Sequence, residues 1–536
     1  MFKISNLVIV LLASMLTACS YLKYSSIQAE YTKIQNANPS QVNLKHLIDQ
    51  ETFFIWGKPI VDSNHFSGMS MAIVAYSSKF KANERVDTMF FKGVGTHYGL
   101  NLPEGDYTLL IYADLDQNEL FTPAEIVGMK TLTLDTNHFP EKIVKDINIE
   151  ITDSFDIAWA ETIVMPRIME TEESVFYPAG TIRRLDDPIF NDEIATMGMY
   201  DPASFLELAP TMFYALEENV AHKIPVIFVH GIGGNIRSFK QVIESMDKDR
   251  YQALFFYYPS GGDLDQLAEL FYDVYLSGDV MPIGHMPMIV VAHSMGGLIV
   301  REAFNHYEGS AKENKVDLFV SIASPFGGHP SAASGERHGL IVLPSWIDLN
   351  PSSQFIKGLY RKPLPESVNH QLYYAYNNKS MLKLGENSDG VVPLSSQLHT
   401  EVQKQSNKQF GFNRSHVDIL ESEEMIAQLL VSMSEVENIF PELHIELLSK
   451  GGFDVSLSDD YSALTQHLIS YAGKYLVLMV KEKIEAINPE QERYIHAVQG
   501  KIVATRNVEK EFIKFMKEHP DLVESVLEEF KFLEPQ

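Results

Sequence analysis

The chain has 536 residues with ordinary globular proportions of hydrophobic (45%) and charged (21%) residues, too many for one hydrophobic core, so two or three domains are expected. Its 43 Lys and Arg stand against 71 Asp and Glu, a formal net charge of -28 at pH 7. That balance argues against a nucleic-acid partner, which needs a basic footprint, and against simple electrostatic docking on anionic lipid.

Met1-Phe2-Lys3 is a short basic start, and Ile4 to Met15 is an apolar stretch too short to span a bilayer core of ~30 Å. Leu16-Thr17-Ala18-Cys19 follows, and small residues before a cysteine in this context resemble a bacterial lipobox. The resemblance implies a signal peptide over 1–18, cleavage before Cys19, lipid attachment there, and a tether over 19–50. Ser20 stands where an aspartate would be an inner-membrane retention signal, so the resemblance implies a bacterial cell envelope protein anchored in the outer membrane. Cys19 is the only cysteine of the chain, so no intrachain disulfide can form.

Residues 51–152 hold short apolar runs separated by turn residues: Phe53 to Gly57, Met71 to Tyr76, Tyr107 to Tyr112 and Ile143 to Ile151. Their spacing predicts a small β-sandwich-like domain. Within it, Asp114, Asp116, Asn118 and Glu125 occupy the first, third, fifth and twelfth places of a calcium-type loop. Glu119 stands where such a loop needs glycine, and a solvated acidic hairpin carries the same letters.

A connector follows, in which Ala179 to Leu185 reads as a strand added at a sheet edge. Residues 153–434 then alternate strand-like and helix-like runs. Ile224 to His230 is apolar on both faces, as a central parallel strand requires, and runs into Gly231-Ile232-Gly233-Gly234-Asn235. Tyr251 to Tyr258 reads as a strand, Leu264 to Leu276 as a helix, and Leu318 to Ala323 as a strand. Between them, Val290 to Val300 is a β-branched run, a small-residue turn around Ser294, and an amphipathic segment. This is the strand–turn–helix context of a nucleophile elbow, with Ala292 and Gly296 small on either side and Ala292 replacing the first glycine of G-x-S-x-G. The N–H groups of Ile232 and Met295 are the candidate oxyanion donors.

A serine nucleophile needs a base and an orienting acid. Asp389 lies in a turn before Gly390 and a β-branched run, and His416 lies in a polar loop before the periodic segment Val417 to Met433. The chain order Ser294, Asp389, His416 suits this fold. His293, His306 and His399 fit the base less well, and Asp348 and Asp418 are the alternative acids.

His230 to Gly234, Ala292 to Gly297, Ala323 to Gly328 and Ser388 to Pro393 together resemble the α/β-hydrolase superfamily, most closely its lipase-type serine hydrolases and the branch similar to GPI inositol-deacylases. The resemblance covers roughly Pro178 to Met433. It implies an α/β fold: a mostly parallel sheet with helices on both faces, preceded by the β-sandwich-like domain and followed by a helical region over 435–536. In lipase-like hydrolases the place of insertion 327–362 often holds a lid or acyl-binding wall. Trp346, Ile347 and Phe355 are its candidate substrate contacts, and an ordinary helical excursion is the alternative.

The expected activity is serine carboxylic-ester hydrolysis on lipid or other acyl esters, with no cofactor required; calcium is a candidate structural ion at the acidic loop. Acyl transfer or amide cleavage would use the same triad. An anchored binding or scaffold protein that keeps the hydrolase core as structure is the alternative of a different class.

Overall fold

Strands that are apolar on both faces must be covered on both, and the fold supplies that cover. The computed structural model describes Thr52–Leu533 apart from short interior stretches, chiefly 62–65, 78–83, 165–173, 282–285, 339–341 and 378–386. The signal-like segment, Cys19, the tether, Glu119, and Leu340 and Ile341 of the insertion lie outside the described residues.

A seven-stranded sheet forms the centre. Its spatial order is Phe213–Ala215, Tyr251–Phe256, Ile224–Val229, Met288–His293, Val316–Ile322, Asn369–Ala375 and Lys408–Phe412. The first pair is antiparallel and every later pair is parallel. Parallel neighbours need crossovers, and the helices Lys240–Ser245, Leu264–Phe271 and Met295–Ala303 provide three of them. Every residue of the strands Ile224–Val229, Tyr251–Phe256 and Met288–His293 is buried. Ile227, Leu254, Val290 and Phe319 share one core with Leu298 and Ile299 of the helix after Ser294. This mostly parallel sheet with flanking helices is an α/β-hydrolase-type core.

Two local readings differ. The expected edge strand over 179–185 reduces to a single bridge between Ile182 and Ala215, because Arg183 folds back on the Gly180 carbonyl (2.8 Å) and Asp187-Pro188 turns the chain into a short helix. The expected helix Leu264 to Leu276 is α-helical through Phe271 and then widens into a π-turn, Tyr272–Leu276.

Before the core, a four-stranded antiparallel sheet runs in the order Glu84–Lys92, Ser70–Ser77, Gly105–Ala113, Ile126–Leu134. A second sheet joins Tyr98–Pro103, Thr52–Gly57 and Ile143–Val144. The period-two pattern explains their packing. Met71, Ile73 and Ala75 enter the core shared by both sheets, with Phe53, Ile55 and Leu100, whereas Ala72, Val74 and Tyr76 enter a separate cluster with Tyr112 and Phe121.

Residue contacts divide the chain into two compact units. One holds these β-sheets and the core through Glu437; the other holds Asn438 onward with Asn219–Lys223. In the second unit Ile469, Ala472 and Leu478 of the helix Ala463–Val480 pack with Phe512, Phe515 and Val526 of the later helices. From Val508 to Phe532, where Glu and Lys alternate with apolar residues, the chain forms two helices, because Pro520 has no N–H to continue the first and instead opens the second. Among the described residues no helix is long and apolar enough to cross a membrane.

Candidate active site

Ser294 sits between the strand Met288–His293 and the helix Met295–Ala303 at φ 54° and ψ -128°, a backbone conformation that non-glycine residues rarely hold. Its N–H donates to Ile322 O (2.8 Å) and its carbonyl accepts from Gly297 N–H (3.0 Å), so neighbouring elements hold the strained turn. Close approach sets the small residues. A Cβ at Gly296 would lie 2.6 Å from the Val229 and His230 carbonyl oxygens, and one at Gly231 would lie 2.7 Å from Ser294 Cβ. Ala292 in place of glycine costs nothing, because it is an ordinary strand residue paired with Val229 and Ser321.

The structure brings Ser294, His416 and Asp389 together. His416 Nε2 lies 2.9 Å from Ser294 Oγ, and its Nδ1 lies 2.6 Å from Asp389 Oδ2. With Nδ1–H given to the carboxylate, Nε2 is left to accept the hydroxyl proton. All three residues are buried. Gly390 at φ 98° lets the acid loop reverse at once, so the Val391 and Val392 N–H groups both reach Asp389 Oδ1 (2.9 and 2.7 Å). The His416 N–H donates to the Asp389 carbonyl (3.0 Å), which ties the two loops together.

The competing candidates have other partners. His293 Nε2 lies 2.9 Å from the His416 carbonyl oxygen, and burial holds its imidazole neutral, well below the ordinary value at about 3. It therefore donates to, and steadies, the loop that carries His416. His399 stacks on Tyr360, and His306 lies 4.0 Å from Glu302. Asp348 accepts from the Leu264 N–H (2.9 Å) at the start of another helix, and Asp418 is exposed in the first turn of Asp418–Glu421.

Ile232 and Met295 line the cavity beside Ser294, and neither backbone N–H has an acceptor among the described residues. His230 holds the loop that carries Ile232. Its ring stacks on Tyr258 with centroids 4.2 Å apart, its Nδ1 lies 2.7 Å from the Gly231 carbonyl oxygen, and its own carbonyl accepts from Tyr258 Oη–H (2.6 Å). Burial keeps this imidazole neutral too, at about 4.

The cavity has a volume of about 570 Å³ and reaches Ser294, His416, Ile232 and Met295. Met199, Phe239, Trp346, Leu349 and Leu420 give it an apolar wall, while Asp192, Asn235 and Ser238 form a polar sector. The insertion 327–362 folds as three short helices, Pro330–His338, Pro344–Asp348 and Gln354–Gly358, and contributes Ala332, Gly335, Trp346 and Leu349 to the lining. Two expected contacts are corrected. Ile347 is absent from the lining and 46% exposed, because a helix that turns Trp346 inward carries the next residue about 100° around its axis. Phe355 is buried in the main core with Ile356 and Leu359, on a helix capped by Ser353.

Gln397 was not legible in the sequence. Fully buried, it donates from Nε2 to Asp389 Oδ2 (3.1 Å) and the Ala375 carbonyl (3.1 Å) and accepts from Ala375 N–H (2.9 Å). Nothing in a Leu-Ser-Ser-Gln turn marks such a residue. The same holds for the helix Asp192–Tyr200, whose Asp192 and Met199 reach the cavity from far upstream.

Away from this site, oxygens of Asp114, Asp116 and Glu125 converge within 4.8 Å of one another, a group that could hold a metal ion. Glu125 also accepts from Leu115 N–H (2.9 Å), Thr122 N–H (2.8 Å) and Thr122 Oγ1–H (2.9 Å). Asn118 acts as a loop staple instead: its Oδ1 accepts from Leu120 N–H (2.7 Å) and its Nδ2 donates to Asp116 (2.8 Å).

Comparison with known proteins adds the following. Residues 279–365 match the family described as lecithin:cholesterol acyltransferase, a stretch holding Ser294 and the insertion but well short of half the chain. A lysosomal thioesterase, PPT2-B of Xenopus laevis, is 28% identical over 131 residues. That match takes in 23% of this chain and 43% of the thioesterase, so the chain spans less than half the length of that curated relative. The mature lipase BlEst2 of Bacillus licheniformis is similar at 17% identity and a TM-score of 0.31, covering 41% of this chain and 97% of the lipase. Lipase B of Aspergillus fumigatus is similar at 17% identity and a TM-score of 0.31, over 40% of this chain and 54% of that one.

Proposed function

We propose that this protein is a serine hydrolase of carboxylic esters that works through an acyl-enzyme. The observation that carries the reading is the Asp389–His416–Ser294 relay, at 2.6 and 2.9 Å, opening on an apolar cavity beside two amides without acceptors. Ser294 Oγ attacks the ester carbonyl carbon while its proton passes to His416 Nε2. The carbonyl electron pair collects on oxygen, facing the N–H groups of Ile232 and Met295, each worth roughly 3–4 kcal/mol to the transition state. Collapse breaks the bond to the alcohol oxygen, which leaves with the proton from His416. Water then repeats the attack on the acyl-enzyme, gives its proton to His416, and Ser294 recovers it as the acid departs. Asp389 keeps the imidazole in the required tautomer and stabilises its cation.

The apolar wall and the motif resemblance to lipase-type and GPI inositol-deacylase-like enzymes support lipid or other acyl esters as substrates. The lipobox-like start supports a lipid anchor at Cys19 in the outer membrane, which the mass of the mature N-terminus tests. Oxygen ligands at Asp114, Asp116 and Glu125 suit a hard cation such as calcium.

Covalent labelling by a fluorophosphonate decides the chemistry. Wild type should label and Ser294→Ala should not, with ester turnover lost in parallel; labelling that survives in the variant would place the nucleophile elsewhere. The match to the lecithin:cholesterol acyltransferase family over the elbow favours a second reading, acyl transfer to an alcohol. Supplying an alcohol during turnover and measuring new ester against free acid separates the two.

A further inference from the structure

We propose that the cavity discriminates by charge: its substrates are esters whose alcohol portion is neutral or cationic, and anionic leaving groups are rejected at Asp192. This rests on the esterase reading above and names the substrate class within it.

The cavity has two sectors. Trp346, Leu349 and Leu420 make the apolar side that suits an acyl chain, and Asp192, Asn235 and Ser238 make the polar side that suits the alcohol. Asp192 is the first residue of the helix Asp192–Tyr200, and its Oδ1 accepts from Asn235 Nδ2 (3.0 Å), which fixes the carboxylate beside the loop carrying Ile232. Among the described lining residues there is no Lys and no Arg, and Asp192 is the sole carboxylate. Arg237, two residues beyond Asn235, is turned away and donates to the carbonyls of Leu185, Asp186 and Asp187.

The histidines supply no cation either. Burial holds His230 and His293 neutral, and it lowers His329 as well. Both His329 ring nitrogens are engaged, Nδ1 by the Ser331 N–H and Nε2 by the Val391 carbonyl, as a neutral ring allows. His416 must be neutral to act as base. A phosphate or sulfonate entering this space would give up hydration and meet only neutral donors, with no cationic side chain among the described lining residues. It would also meet the Asp192 carboxylate and the field of a chain with net charge -28.

The test uses three butyrate esters of matched size: butyrylcholine, its neutral carbon isostere neohexyl butyrate, and sulfoethyl butyrate. At low ionic strength wild type should turn over the first two and strongly disfavour the third by kcat/KM. The choline-to-neohexyl ratio should fall about fivefold in Asp192→Asn, the effect of about 1 kcal/mol from one charge at contact distance in water. It should fall further in Asp192→Lys, and salt should compress all the differences. Comparing esters within each variant removes any general loss from disturbing Asn235. Ratios that stay the same across wild type, Asp192→Asn and Asp192→Lys, or sulfoethyl butyrate as the best substrate, overturn the charge selection while leaving the esterase reading intact. No turnover of neohexyl butyrate together with no fluorophosphonate labelling overturns both.

Discussion

Asp389 has no solvent exposure, where a bare carboxylate would be costly. Four donors hold it there: the amides of Val391 and Val392 on Oδ1, and His416 Nδ1–H with Gln397 Nε2–H on Oδ2. In the proposed mechanism Gln397 is a positioning residue that acts through Asp389, which it ties to both backbone groups of Ala375 at the end of a core strand. Gln397→Leu removes a hydrogen bond to a charged group, worth roughly 1.5–3 kcal/mol, so kcat should fall about ten- to a hundredfold with KM little changed. Titrating folded sites with a fluorophosphonate separates this from lost stability: a purely structural role would lower the melting temperature and leave kcat per labelled site at the wild-type value. Ser294 and Gln397 also differ in how far the sequence reveals them. The residues that betray Ser294 lie within a few positions of it, a β-branched run before and Gly296 after, even though the close approach that keeps Gly296 small comes from the Val229 and His230 carbonyls. The constraints on Gln397 come from a strand and a loop that only the fold brings beside it.

At the scale of elements the same division recurs. The central strands were legible because runs such as Ile224–Val229 are apolar on both faces, and a parallel sheet needs that. The insertion was legible as an apolar segment but not in phase: which of Trp346 and Ile347 faces the cavity depends on how the helix Pro344–Asp348 is set by its neighbours. The Trp346 ring packs on Gly335, where an added Cβ would come within 2.8 Å of it. Each buried methylene contributes about 0.8 kcal/mol, so kcat/KM should rise with acyl length until this wall is covered. Trp346→Ser should flatten that rise more than it slows acetate-ester hydrolysis, and Ile347→Ser should leave it unchanged; equal losses on short and long esters in Trp346→Ser would make the segment mere support. In the β-rich region, the converging carboxylates of Asp114, Asp116 and Glu125 repel one another, and a cation bound only by the folded loop would relieve this. Millimolar calcium should then raise the melting temperature of wild type and not of Asp116→Ala. No shift in wild type would leave the loop as a hairpin held by Glu125 and Asn118.

The whole molecule carries a cost that none of its separate parts reveals. His230 and His293 brace the two loops of the site, and His370, in the strand Asn369–Ala375 of the central sheet, has its Nε2 2.9 Å from Ser321 Oγ. Burial lowers all three from the ordinary 6.5, to about 4 for His230 and about 3 for His293 and His370. The sequence could not announce this, because a histidine reads the same whether buried or exposed; only the packing that excludes water makes it neutral. The sign follows from proton counting. Below pH 6.5 the unfolded chain takes up protons at these residues and the folded chain does not, until its own lowered values are reached. Their contribution is thus fully present above the ordinary histidine value and is lost as pH falls toward about 4 and then about 3. The melting temperature of the intact chain should therefore drop between neutral pH and pH 5. His370→Gln, away from Ser294, Asp389 and His416, removes one of these terms and should make that drop shallower, whatever the substitution costs at neutral pH. A slope unchanged by His370→Gln would mean that His370 titrates alike in the folded and unfolded chains. The acid sensitivity would then rest with the other histidines that burial lowers, His230 and His293 on the loops of the site together with His97, His306, His329 and His444.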